Sequence, residues 1–239
     1  MAQENVWERE YQNSKLVTKD DKPQTDTLGF FKYLKRDKKT PLEGLRALDL
    51  GCGTGRNSNY LAQEGAVVTG IEISSTALRL AVERAKELGL PQTASVASNT
   101  GSVEYLKGDI GFILPFGNDS FDLIIDVTSS NSLTESERGL YIQETHRILK
   151  SGGNFFVKTL CKDGDHNAKN LIKLSPGKEK DTYIMPEIGL TERVWSKEDF
   201  VEYYSRYFII EKLEKKTNYS RINNQSYKRN FWLAYMSKK

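Results

Sequence analysis

Short apolar runs and segments of helical period alternate along the first two thirds of the chain. "LRALDL", "AVVTGIEI", "VEYLKG", "FDLIIDV" and "GNFFVKTL" read as five strands, rich in β-branched and aromatic residues. "RNSNYLAQEG", "STALRLAVERAKELG" and "SERGLYIQETHRILKSGG" carry apolar residues three and four apart and read as helices. Strands that alternate with helices imply crossover connections and a parallel sheet covered on both faces. The helix ends agree. Ser74 or Ser75 caps the helix built on Leu78, Ala81, Val82 and Ala85, which Gly89 and Pro91 stop, and Gly152-Gly153 ends the helix carrying Tyr141, Ile142, Thr145, Ile148 and Leu149.

After the fifth strand the period is lost. Cys161 to Val194 is polar, contains Gly and Pro, and predicts an irregular segment, 161–195, inserted as a substrate lid. Helical period returns in "SKEDFVEYYSRYF", capped by Ser196. "FIIEKLEKKT" and "YKRNFWLAYMS" then read as two strands, close enough across "NYSRINNQS" to be antiparallel neighbours. "QTASVASNTGS" reads as a surface loop.

Composition narrows the class. A chain of 239 residues, 38% hydrophobic and 28% charged, can bury one sizeable core. We divide it into a helical lead over residues 1–40 and one α/β domain over 41–239. No apolar run approaches the roughly 18 residues of a membrane helix, and "MAQENVWERE" lacks the layout of a secretory signal, so the expectation is a cytoplasmic protein without a membrane partner. Cys52 and Cys161 are too few for a disulfide framework and match no zinc spacing, so no metal is expected. The net charge of +3 hides an asymmetry: Lys212 to Lys239 holds eight Lys or Arg against Glu214, and "KYLKRDKK" forms a second basic cluster. Basic patches attract nucleic acid, but runs of charge are more often solvated faces.

The chemistry concentrates behind the first strand, in "ALDLGCGTGRNSNYLA". Glycines there tolerate positive φ and let a ligand approach the backbone, and the following helix offers free N–H groups. The dinucleotide pattern GxGxxG fits poorly, because its third glycine would fall on Arg56 or Ser58. The pattern present is Asp-x-Gly-x-Gly-x-Gly: Asp49, Gly51, Gly53 and Gly55. The loop lies at the carboxyl end of a strand, where open α/β sheets bind ligands at a switch point.

From about Leu45 onward the sequence resembles the class I methyltransferases that use S-adenosylmethionine. "LDLGCGTG" matches that family's first motif, which implies that Asp49, Gly51, Cys52, Gly53 and Gly55, with Asn57 behind them, hold the methionine part of the cofactor. Glu72 stands where the family places the acid that accepts from both ribose hydroxyls, with Ile73 beside the adenine; Asp109 and Ile110 of "KGDI" match the adenine-recognising pair. "LPFGNDSFDLIIDV" and "HRILKSGGNFFV" resemble the fourth strand and the helix, turn and fifth strand that follow. The resemblance implies an α/β fold with a doubly wound, mostly parallel seven-stranded sheet of order 3-2-1-4-5-7-6, the seventh strand antiparallel. The long N-terminal lead and the segment after strand five are similar in layout to small-molecule methyltransferases of the thiopurine and tellurite-resistance type.

The methyl donor is already activated, so catalysis is mainly positioning of the acceptor. Residues Asp126 to Asn131 end the fourth strand near the reacting atoms; Asp126 is a candidate for the cofactor ammonium or a base, and Asn131 for orienting the acceptor. This segment departs from the Asn/Asp-Pro-Pro-Tyr pattern of amino-methylating enzymes. His166, just past the fifth strand, is a candidate proton acceptor. His146, within a helix, reads as structural. Trp7 and Tyr11, four apart, form one helical face that either covers the cofactor sulfonium or packs in the core. The expected activity is methylation of a small molecule. Two alternatives stand beside it: methylation of RNA or protein docked on the basic C-terminal hairpin, and cofactor binding without catalysis.

Overall fold

The computed structural model describes residues 3–13, 21–92, 101–222 and 225–239, with the side chains of 220–222 and 225 left aside. Most of the loop expected over Gln92–Ser102 therefore lies outside the described residues. Two helices lead in, α1 (Glu4–Gln12) and α2 (Thr25–Arg36). Then β1 (Arg46–Leu50), α3 (Arg56–Gln63), β2 (Val67–Glu72), α4 (Ser75–Glu87), β3 (Ser102–Lys107), β4 (Phe121–Val127), α5 (Glu135–Ile148) and β5 (Leu149–Leu160) follow the alternation read from the sequence. Ser74 caps α4, its hydroxyl accepting from the Ala77 N–H.

The sheet has the order β3-β2-β1-β4-β5-β9-β8 once the last two strands, β8 (Phe208–Ile222) and β9 (Gln225–Lys238), are added. β1 to β5 pair in parallel, and β9 runs antiparallel to both of its neighbours. This is the expected seven-stranded order. The chain leaves β1 toward β2 and β3 and returns to β4 on the other side, so β1 and β4 flank the switch point.

Alternation along the strands sorts the core into two layers. Leu48, Ile124, Phe155 and Val157 point to the layer covered by α5 and Trp195, Phe200 and Tyr204. Ala47, Leu123, Ile125 and Phe156 point to the other, where Phe30 of α2 stacks on Phe156 with centroids 4.7 Å apart.

Three local expectations are corrected. The helix α5 ends at Ile148, and Gly152-Gly153 instead lies inside β5, where the register against β4 slips between Phe121 and Leu123. The segment 161–195 is not irregular: it holds α6 (His166–Leu174) and a small hairpin of β6 (Thr182–Ile184) and β7 (Thr191–Arg193) ahead of α7 (Lys197–Tyr204). Asp165 caps α6. The strands β8 and β9 run through most of "NYSRINNQS", carrying the hairpin beyond the sheet edge.

Candidate active site

The glycine loop turns directly after β1, with φ of +67° at Gly51, +54° at Gly53 and +80° at Gly55. Side chains crowd all three. A Cβ on Gly51 would collide with Ser129, one on Gly53 would lie 2.6 Å from the Tyr11 hydroxyl, and one on Gly55 would strike Tyr105 and Ala81. Gly51 and Gly53 border a cavity; Gly55 does not, and serves instead as the left-handed N-cap of α3 against Tyr105.

Asp49 is also displaced from the role expected of it. It lies 1% exposed behind the loop, away from the cavity, and accepts from Ser58 Oγ at 2.6 Å, which ties β1 to α3. Burial raises its carboxyl to about 7 despite that hydrogen bond. Glu72, by contrast, faces the cavity. One carboxylate oxygen accepts from the Gly53 N–H and the other from the Ser74 N–H, both at 2.9 Å, and burial raises its pKa against these bonds. Cys52, Asn57, Ile73, Asp109 and Ile110 complete this end of the wall. Asn57 Oδ1 is buried without a hydrogen-bond partner among the described residues.

The cavity measures about 520 Å³, within the range of small-molecule sites. Helix α1 roofs it. Trp7 and Tyr11 line the cavity with ring centroids 6.2 Å apart. Glu8, one turn between them, takes Ser74 Oγ at 2.7 Å, Thr76 Oγ1 at 2.5 Å and the Thr76 N–H at 3.2 Å. Gln3 fastens the other end, donating to the carbonyls of Ser132 and Thr191 and accepting from the Thr191 N–H at 2.7 Å.

The far end of the cavity is built from β4, β5, the inserted hairpin and β9. Asn131 lines it, but its amide oxygen accepts from Thr159 Oγ1 at 2.5 Å and from the Leu160 N–H at 3.2 Å. Thr128 beside it holds φ +67°, a strained value for a β-branched residue. Asp126 does not reach the cavity. It is fully buried, accepting from Tyr141 Oη at 2.7 Å and the Ser129 N–H at 2.9 Å, and so braces the turn after β4. His166 is exposed on the first turn of α6 and is not part of the cavity wall. Arg229 of the basic run is 4% exposed, lines the far end of the cavity, and is bonded to Asp165 at 3.3 Å and to Tyr183 Oη at 2.8 Å. Both cysteines are buried free thiols, and burial raises each.

Several wall residues escaped the sequence reading: Gln24, Arg56, Lys158, Met185 and Phe231. One signal was available. Lys158 interrupts the buried run "FFVKTL", and a lysine inside a central strand calls for a partner.

Comparison with known proteins agrees with this geometry. The family described as methyltransferase domain matches residues 48–157. An uncharacterized methyltransferase from Synechocystis is 35% identical over 132 residues, 53% of this chain and 55% of that protein. Among solved structures, a SAM-dependent methyltransferase from Methanosarcina mazei superposes with TM-score 0.69 at 24% identity, covering 82% of this chain and 93% of its own. The 1,6-didemethyltoxoflavin-N1-methyltransferase of Burkholderia thailandensis, bound to 1,6-didemethyltoxoflavin and S-adenosylhomocysteine, superposes with TM-score 0.69 at 14% identity, over 99% of this chain and 87% of its own. The chain spans about half the length of the curated relatives it matches.

Proposed function

With residues 48–157 matching the methyltransferase-domain family, we propose that this chain is an S-adenosylmethionine-dependent methyltransferase acting on a small molecule. One observation carries the reading: a single roofed cavity has Gly51, Gly53, Glu72 and Asp109 at one end and Asn131, Lys158, Met185 and Phe231 at the other. The donor set fits the cofactor. Each Glu72 oxygen takes one backbone N–H and keeps a lone pair for a ribose hydroxyl. The unpartnered Asn57 amide oxygen suits an ammonium donor, and Asp109 suits an amine.

When bound, the cofactor supplies an activated methyl group on a sulfonium. The protein's part is then to hold the acceptor in line and keep water out, effects that together account for about 7–11 kcal/mol of a barrier in well-oriented reactions. Trp7 and Tyr11 close the roof and present ring faces that attract a cation by about 0.5–2 kcal/mol. A small acceptor is favoured over a macromolecule because the cavity is roofed and because several of the basic groups are engaged at home, Lys35 with Glu64, Lys38 with Glu211, and Arg229 with Asp165.

The test is calorimetric titration with S-adenosylhomocysteine. Wild-type protein binds, and Glu72→Gln binds more weakly by at least about 1 kcal/mol, the worth of a lost hydrogen bond to a charged acceptor. An absence of heat with the wild type would remove the cofactor assignment.

A further inference from the structure

Lys158 stands near the carboxyl end of β5 with its side chain 3% exposed. Its ammonium donates to Asp26 Oδ2 at 2.8 Å and to Gln24 Oε1, and lies 4.7 Å from the Phe231 ring centroid. Lys158, Gln24 and Phe231 line the cavity; Asp26 does not. The ion pair therefore presents its positive member to the cavity. Asp26 is further engaged by Asn218 Nδ2 at 2.8 Å, which draws the carboxylate away from sole duty to Lys158.

Two physical points make this placement informative. A buried ion pair gains little over apolar packing of the same volume, so a buried lysine is poorly explained by stability alone. Burial lowers the Lys158 pKa, opposed by the hydrogen bond it donates to Asp26, and on Asp26 burial is outweighed by Lys158 together with the Asn218 hydrogen bond and the Lys216 charge, so that its carboxyl falls below the usual carboxylate range. An ammonium has three N–H donors, of which the described residues take two. Of the other charged groups, Glu192 accepts from Tyr183 Oη at 2.5 Å and Arg229 donates to that same oxygen, while Arg56, also on the cavity wall, adds to the positive field at Lys158. Around Lys158 the wall is aromatic or apolar, with Trp7, Leu160, Met185 and Phe231.

We propose, resting on the methyltransferase reading above, that the acceptor is an aromatic or enolic hydroxyl compound held by Lys158 as its oxyanion, with its ring against Phe231, Met185 and Trp7. On binding, the hydroxyl releases its proton to water while the ammonium keeps its own protons. The oxyanion then forms the O–CH3 bond as the S–CH3 bond breaks, and the electron pair of that bond stays on sulfur as a neutral thioether.

The probe is 4-nitrophenol, coloured only as its anion, titrated by absorbance with and without S-adenosylhomocysteine. Bound to wild type, it ionises at least about one pH unit below the free compound, the effect of an opposite charge at close range. It also binds at least about tenfold more tightly than 4-nitroanisole, which has no proton to lose; one unit and tenfold are the same free energy. Lys158→Met loses both effects and Lys158→Arg keeps them. Because Lys158→Met strands a buried carboxylate, the double variant Lys158→Met/Asp26→Asn is measured beside it, with S-adenosylhomocysteine affinity confirming an intact site. Absence of 4-nitrophenol binding, an unshifted ionisation, or a shift that survives in both methionine variants overturns the proposal. Cofactor-product binding with no shift removes the oxyanion site and leaves the methyltransferase reading; a shift with no binding of S-adenosylhomocysteine does the reverse.

Discussion

Single residues divide by which way burial turns them. Glu72 and Asp109 were picked out by the family resemblance and both line the cavity, whereas Asp126 and Asp49, near similar strand ends, face inward. Local spacing does not distinguish these cases; the partners Tyr141 and Ser58 do, and they come from other elements. Two glycines give a paired prediction. Gly55→Ala meets both a positive φ and a collision with Tyr105, so it costs at least about 2–3 kcal/mol in denaturant unfolding. Gly89→Ala has the same kind of φ but open space around it and costs about 1–2 kcal/mol. Asp49 predicts a pH effect. Its folded pKa, about 7, lies above the ordinary 3.8, so the folded state holds the proton more tightly and this group's contribution to stability falls as pH rises from about 4 to about 7. Asp49→Asn removes that dependence while an amide oxygen still accepts from Ser58. The stability of the variant relative to wild type therefore increases across that window and is level above it, as urea titrations at successive pH values will show.

At the scale of elements, the roof depends on contacts rather than on helix propensity. Helix α1 has nine residues, too few to persist alone in water, and Glu8 anchors it on the N-terminal turn of α4. Hydrogen bonds from Thr76 and Ser74 outweigh burial and lower Glu8 to about 2. This folded pKa is depressed, so the stabilisation is complete above the ordinary 4.5 and is lost as pH falls toward 2. The stability gap between wild type and Glu8→Gln accordingly closes over that range. At neutral pH, Glu8→Ala speeds amide exchange over residues 4–12 by about fivefold, the effect of roughly 1 kcal/mol, with α3 and β1 unchanged. The five parallel strands and their helices were readable because each repeats one period for several turns. Helix α6 and the three-residue strands β6 and β7 were not, since nine and three residues carry too little period to register and are held by packing on β9 and on one another.

For the whole molecule, cofactor binding and folding are coupled because the roof, the loop and the acceptor wall come from both ends of the chain. S-adenosylhomocysteine at a hundred times its dissociation constant stabilises the native state by about 2.7 kcal/mol. For a chain of this size that raises the melting temperature by roughly 5–11 °C in a thermal scan, and Glu72→Gln gives a smaller rise at the same concentration. The sequence by itself determined the succession of strands and helices along the chain and the parallel direction of the sheet, because these follow from periodicity, turn residues and crossover connections, while the strand order that sets the switch between β1 and β4 came from the family resemblance. Only the tertiary structure decided which polar groups reach the cavity. Asp26 and Lys158 meet across 132 residues of sequence, and Tyr11 of the N-terminal helix comes to rest on Gly53. Whether a charge at a strand end faces a ligand or the core depends on what long-range packing lays over it, and no local pattern carries that information.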